Sequence, residues 1–295
     1  MDFKQRILDP AQPAIFFEMV PPAAGKPESL DAAVNDARRV KGLADAINLP
    51  EIHDENRGEP RAVQFVPRVQ PRLLGARIRR ELGLEVVVNR CVVYEPDQVS
   101  WLKKIERDDD IHHVVLVGGE SSRVHYPGPG VIEAASQAAA AGLNLTLGGI
   151  SIPSRESEAA RVRRKTAAGL VFFTTQVLFD SNDIVWLVQR LNGLEARIFL
   201  SFAPVSHVKD IEFLRWLGAD IPSDLDHYLL QGASPDLCQR ILMDVFDNLP
   251  PDPPPIGLNI EHINRRNFPA AIQLLERLGG LYKHLVSARA RASLA

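Results

Sequence analysis

Eight short apolar runs, separated by stretches of helical period, set the tightest limit on how this chain can fold. The runs are 14-AIFFEMV-20, 45-DAINLP-50, 85-EVVVNR-90, 112-HHVVLVG-118, 144-NLTLGGI-150, 170-LVFFTTQ-176, 196-ARIFLSF-202 and 256-IGLNIE-261. Each is nearly continuous in β-branched, aliphatic or aromatic residues, as expected of strands buried on both faces of a parallel sheet. Helices are expected at 28–43, 70–83, 96–106, 131–142, 155–168, 181–193, 206–217 and 268–280. Three of them run into Gly83-Leu84, Gly142-Leu143 and Gly169-Leu170, where glycine suits the helix end and leucine opens the next strand. Eight strand–helix alternations close a (β/α)8 barrel, and 295 residues suffice for one. An open doubly wound sheet competes, but it calls for a glycine-rich turn after the first strand, where this chain reads MVPPAAGK. Residues 1–295 are therefore expected to form one TIM barrel domain. The segment 218–255 breaks the rhythm. It predicts an extra helix at 235–248 within the seventh β/α unit, then a stiff connector, 250-PPDPPP-255.

Charge and cysteine content narrow the partners. A net charge of −3 gives no basic excess for nucleic acid or an anionic membrane. No window reaches 18 apolar residues, so no transmembrane helix is expected. Two cysteines, Cys91 and Cys238, cannot build a disulfide framework. With no secretory pattern at the N-terminus, the expected location is the cytoplasm. Oligomeric state is left open.

In such a barrel the chemistry sits at the C-terminal ends of the strands. Glu18 lies there, between Phe17 and Met19. A carboxylate in that apolar run is either ion-paired with a buried cation or an acid of raised pKa, suited to general acid catalysis. Glu120 follows strand four after Gly118 and Gly119, which let the backbone approach a ligand closely. Gln176 ends strand six, where its amide can read a heterocycle edge or bond within the barrel. The loop 53-HDENR-57, with Glu55, and Asn89 at the end of strand three are further candidate substrate contacts. The loop's spacing matches no metal motif, and no metal is expected. The run Asp108-Asp109-Asp110 with His112 and His113 precedes strand four and reads as a solvated loop on the opposite face. The stretch 128-GPGVIEAA-135 lacks the third glycine of a dinucleotide fingerprint, and 161-RVRRK-165 reads as an outer helix face.

Several segments together resemble the methylenetetrahydrofolate reductase family. These are FFEMVPP at 16–22, RKTAAG at 164–169, VFFTTQVLFD at 171–180, FAPVSHVKDIEFLRWLGADIP at 202–222 and IEHINR at 260–265. They occur in the family's order along nearly the whole chain. The resemblance implies a (β/α)8 barrel that reduces 5,10-methylenetetrahydrofolate to 5-methyltetrahydrofolate, a step of one-carbon metabolism serving methionine biosynthesis. It implies Glu18 as the general acid, Glu120 in place of an aspartate facing the pterin, and Gln176 as a folate contact.

The family's flavin pocket is poorly matched. Asn89-Arg90-Cys91 stands where the family has His-Leu-Thr, Gly118 where it has arginine, and Ile150 where it has tyrosine. Lys165 and Glu158 are the remaining counterparts of polar groups on the next helix. The chain is similar to flavin-independent members, which implies direct hydride transfer from NADH or NADPH and no tightly bound FAD. An FAD-dependent version of the same reaction is one alternative. Others are a one-carbon transferase or lyase on the same barrel, and a non-catalytic folate-binding relative. None of the eight apolar runs ends in lysine, which weighs against Schiff-base lyase chemistry.

Overall fold

The computed structural model describes residues 3–55, 64–119 and 124–292. Strands β1 (Ile15–Glu18), β2 (Ala46–Leu49), β3 (Glu85–Cys91), β4 (His113–Val117), β5 (Thr146–Ser151), β6 (Leu170–Thr175), β7 (Arg197–Phe202) and β8 (Ile256–Ile260) form a closed barrel in chain order. All pairs are parallel, and β1 closes on β8 with Phe17 opposite Ile260. The expected (β/α)8 barrel is the observed fold. Every strand lies within an apolar run or ends one residue beyond it, because each run is buried against the barrel interior on one side and the helical layer on the other.

The outer layer comprises α2 (Pro27–Arg39), α3 (Pro71–Leu82), α4 (Gln98–Arg107), α5 (Val131–Ala140), α6 (Glu158–Ala167), α7 (Asn182–Arg190) and α8 (Val208–Trp216). Gly83 ends α3 in the left-handed region (φ 64°), with its N–H on the Arg79 carbonyl, as the Gly-Leu pattern predicts. In the seventh unit a short helix, α9 (Leu225–Tyr228), leads through a wide turn into α10 (Ser234–Asp247), the predicted extra helix. The last helix, α11 (Phe268–Ala292), runs longer than its predicted 268–280. None of the described helices is long and apolar enough to cross a membrane.

Like α9, the N-terminal helix has no counterpart in the sequence prediction. A six-residue helix, α1 (Phe3–Leu8), closes the N-terminal end of the barrel. Its Phe3 and Ile7 pack with Phe16, Val87, Val115, Phe172 and Phe199 in a core of their own. Phe16 and Phe199 stack at 3.8 Å, and Phe172 meets Phe16 edge-on at 5.8 Å. Glycine makes room for these rings. A Cβ on Gly257 would come within 2.4 Å of the Phe199 ring.

Beneath this core, the buried Arg197 binds the incoming chain. Its guanidinium donates to the carbonyls of Arg6 (3.2 Å), Ile7 (2.6 Å), Asp9 (2.5 Å) and Gln12 (3.1 Å), and to Ile256 of β8. Tyr282 of α11 joins it, donating to the Ile256 carbonyl and accepting the Ala14 N–H. The acidic run before β4 belongs to this end. The run lies on the expected face, but instead of a solvated loop it forms an ion-pair network, with Asp109 paired to Arg72 and Asp110 to Arg79.

Candidate functional site

With the N-terminal end sealed, the barrel opens at its C-terminal end into a cavity of about 800 Å³. Glu18, Asn48, Asn89, Gln176 and Glu261 lie in its wall, contributed by β1, β2, β3, β6 and β8 or the residue just after them. Parallel strands deliver their last residues to the same level, which is why positions far apart in sequence meet here.

Glu18 ends β1 opposite Asn48. One of its oxygens accepts the His262 N–H at 2.9 Å. Glu261 directly follows β8, on the strand beside β1. Its Oε2 accepts from Asn259 Nδ2 at 2.6 Å, and the same amide donates to Ser201 Oγ at 3.0 Å. Both carboxyls keep some surface toward the cavity and are otherwise enclosed by protein. Burial pushes Glu18 above the ordinary value of 4.5, while the N–H groups of His262 and Ile263 and the His262 ring pull it back. Glu261 is pushed well above that value, by burial and then by the charge of Glu18, against the hydrogen bonds of Ser201 and Asn259. Two carboxyls so placed resist ionising together, and Glu261 is the more strongly raised of the two.

The backbone that serves Glu18 is itself constrained. His262 sits in the left-handed region (φ 59°), a conformation that costs a non-glycine residue about 1–2 kcal/mol. Its ring stacks on Phe213 of α8 (5.4 Å, 25°) and approaches Asp210 to 3.6 Å. Asp210 accepts the backbone N–H groups of Ser206 and His207 and pairs with Arg266 at 2.5 Å. Burial opposes ionisation of Asp210. His262, the Ser206 N–H and Arg266 outweigh it and hold the carboxyl below its ordinary value. The strained turn thus has partners on both sides, and it aims one N–H at the carboxylate.

Asn48 is buried, and its Oδ1 has no hydrogen-bond partner; the Oδ1 of Asn89 is likewise enclosed and unpartnered. A buried amide oxygen without a donor costs about 1–3 kcal/mol, so these acceptors favour a ligand bearing N–H or O–H groups. Gln176 lines the cavity too, with Nε2 on the Leu217 carbonyl (3.0 Å) and Oε1 accepting the Val177 N–H (3.2 Å). Its amide is therefore held to the turn after α8, which narrows the edge it can offer a ligand.

Glu55 and Ile150 line the cavity as well. Gly118, Gly119 and Lys165 do not. The Tyr126 ring packs over Gly119, where a Cβ would come within 2.3 Å of it. Lys165 donates to the Ile150 carbonyl at 2.7 Å, and burial pulls its ammonium below the ordinary lysine value. Glu120 lies outside the described residues. Glu261 and Asn48 were missed as site residues. Each carries a signal visible in hindsight, a polar side chain in or beside an otherwise apolar strand.

No protein-family model matches the chain, and no curated protein matches it in sequence. Solved structures do. An uncharacterised protein from Clostridium thermocellum that binds two copies of 5-methyl-5,6,7,8-tetrahydrofolic acid is 21% identical, with a TM-score of 0.74. The match covers 94% of this chain and 99% of that one. A 2,3-dimethylmalate lyase of the PEP mutase/isocitrate lyase superfamily matches 99% of this chain and 98% of its own, at 10% identity and a TM-score of 0.53. At these identities the likeness shows a shared barrel fold.

Proposed function

We propose that the cavity binds a reduced folate and that the protein reduces 5,10-methylenetetrahydrofolate to 5-methyltetrahydrofolate, with NADH or NADPH as hydride donor. The carrying observation is the Glu18–Glu261 pair, two carboxyls enclosed together at the mouth of a barrel and both raised above their ordinary value, whose neighbouring walls present the unpartnered oxygens of Asn48 and Asn89. A pterin carries ring and amino N–H groups that suit such acceptors. The Clostridium thermocellum protein, which binds a methylated folate on the same fold, supports the ligand class.

The chemistry needs one proton and one hydride. The proton of the pair is delivered through Glu18 to N10 as the N10–methylene bond breaks, leaving an iminium at N5. Hydride from the nicotinamide then adds to the methylene carbon, oxidising the dinucleotide and completing the methyl group. Glu261 resupplies Glu18, and the pair regains its proton from solvent. A cavity of about 800 Å³ has room for a pterin and a nicotinamide together, which direct transfer requires.

The surroundings of Gly119 and Lys165 support direct transfer over a tightly held flavin. Tyr126 covers Gly119, and Lys165 is committed to the Ile150 carbonyl, away from the cavity wall. The test is oxidation of NADH and NADPH with and without methylenetetrahydrofolate, repeated with added FAD. Folate-dependent oxidation without FAD, with intersecting double-reciprocal lines, is expected. Folate binding without oxidation would leave a binding protein and overturn the reductase reading. A flavin spectrum at one equivalent per chain, with parallel lines, would overturn direct transfer.

A further inference from the structure

Beside the carboxylate pair, the cavity wall gathers a second set of reactive side chains. Glu51 and His53 follow β2, and Cys91 is the last residue of the adjacent strand β3. All three line the cavity, and one ligand atom from each lies within 4.8 Å of the others. We propose that Glu51, His53 and Cys91 bind a zinc-class divalent cation, with a fourth coordination position open to the cavity.

The spacing suits such an ion. Tetrahedral zinc with oxygen and nitrogen ligands at about 2.0–2.1 Å holds those two atoms about 3.4 Å apart. Glu51 Oε2 and His53 Nε2 are 3.4 Å apart. A sulfur ligand at about 2.3 Å belongs about 3.6 Å from the other two donors, and with all three atoms within 4.8 Å of one another a shift of the Cys91 thiol of no more than about 1 Å brings it into place. The donor set also selects the ion. Thiolate, imidazole and carboxylate together favour zinc over magnesium or calcium, which prefer oxygen alone.

Outer contacts fix the ligands as metal sites require. Glu51 Oε1 is held by Arg90 Nη1 at 2.8 Å, and Oε2 accepts the Cys91 N–H at 2.7 Å. The His53 ring stacks on Tyr94 at 4.2 Å. The Arg90 charge is balanced by Glu51 and Glu95, and its guanidinium lies over the Trp101 ring. A thiolate at Cys91 therefore adds negative charge where a cation is favoured, and its proton leaves to solvent as the metal binds. With three protein ligands, the fourth position takes water or an anionic oxygen or sulfur of a molecule in the cavity, the arrangement of an exchangeable rather than a closed site.

Cobalt(II) titration of the full chain, stripped of metal and kept reduced, tests the proposal without reference to folate or turnover. One equivalent should give the thiolate-to-cobalt charge-transfer band with tetrahedral d–d absorption, and zinc should abolish both. Cys91→Ser should remove the charge-transfer band. It should also weaken zinc binding by more than the about 10–100-fold that loss of an outer contact costs. His53→Ala should weaken binding comparably. Cys238→Ser is the control. That thiol is pushed up to about 12 by burial within α10 and should leave the spectrum unchanged. Circular dichroism shows whether each variant is folded. Absence of a thiolate band in the wild type, or zinc affinity unchanged in a folded Cys91→Ser protein, overturns the site.

Discussion

Replacing Glu261 with glutamine removes one member of the carboxylate pair while keeping its shape and an oxygen for Asn259. The two carboxyls project from neighbouring strands, which lie about 4.8 Å apart. Taking that strand spacing as the separation of the charges, at an effective dielectric constant of about 20 they repel by about 3.5 kcal/mol. Water in the cavity screens part of this, leaving about 1–3 kcal/mol. Both carboxyls are held above the ordinary 4.5, so the folded protein binds their protons more tightly than the unfolded chain does. The stability linked to them is fully present below about pH 4.5 and is lost as pH rises through their folded-state titration. Glu261→Gln abolishes one titration and the repulsion together. Its stability relative to wild type should be near zero or slightly negative at pH 4.5, and should rise by about 1–3 kcal/mol by pH 9. Urea denaturation at pH 4.5, 7 and 9 measures this. A variant destabilised equally at all three would show that Glu261 is only a hydrogen-bond acceptor, and the shared-proton argument would fail.

Glu18→Gln should lower turnover by about 10²–10⁴ with little change in folate affinity by fluorescence titration. Near-normal turnover would remove Glu18 as the acid. Asn48→Leu replaces an unpartnered buried amide, so the ligand-free protein should gain about 1 kcal/mol in denaturant melts while folate binding weakens about tenfold. Loss of both stability and affinity would show that the amide is already satisfied within the protein. Arg197→Met leaves several carbonyls of the N-terminal segment without donors and should cost about 3–5 kcal/mol of stability, read as a lower urea midpoint, with folate affinity of the folded protein unchanged.

The barrel was legible because its strands are buried on both faces. Their apolar runs are nearly unbroken, and residues such as Phe172 and Phe173 mark a strand whichever face they take. Helix α1 was not legible. Its six residues are too few for a helical period, and Phe3 and Ile7 acquire their purpose only beneath Phe16 and Phe199. Glu18 stood out as a charge inside an apolar strand. Glu261 carries the same signal one residue past β8, but its pairing with Glu18 depends on barrel closure, which joins the first strand to the last. The grouping of Glu51, His53 and Cys91 likewise depends on β2 lying beside β3, and no spacing along the chain encodes it. Gly119 and Lys165 follow strand four and precede strand six as expected, but the Tyr126 ring and the Ile150 carbonyl decide what those positions face.

The seal at the base of the barrel also sets an order of events during synthesis. Arg197 grips carbonyls 185–191 positions earlier in the chain, and Tyr282 accepts from an N–H 268 positions earlier. At about 5–20 residues per second, the ribosome makes the segment holding Phe3 and Ile7 roughly 10–40 s before Arg197 exists to receive it. Tyr282 arrives later still, and it must clear the ribosome before the ring can close. Throughout that interval the apolar side of α1 has only part of its native packing, so the nascent chain offers chaperones a hydrophobic segment until the last helix is released.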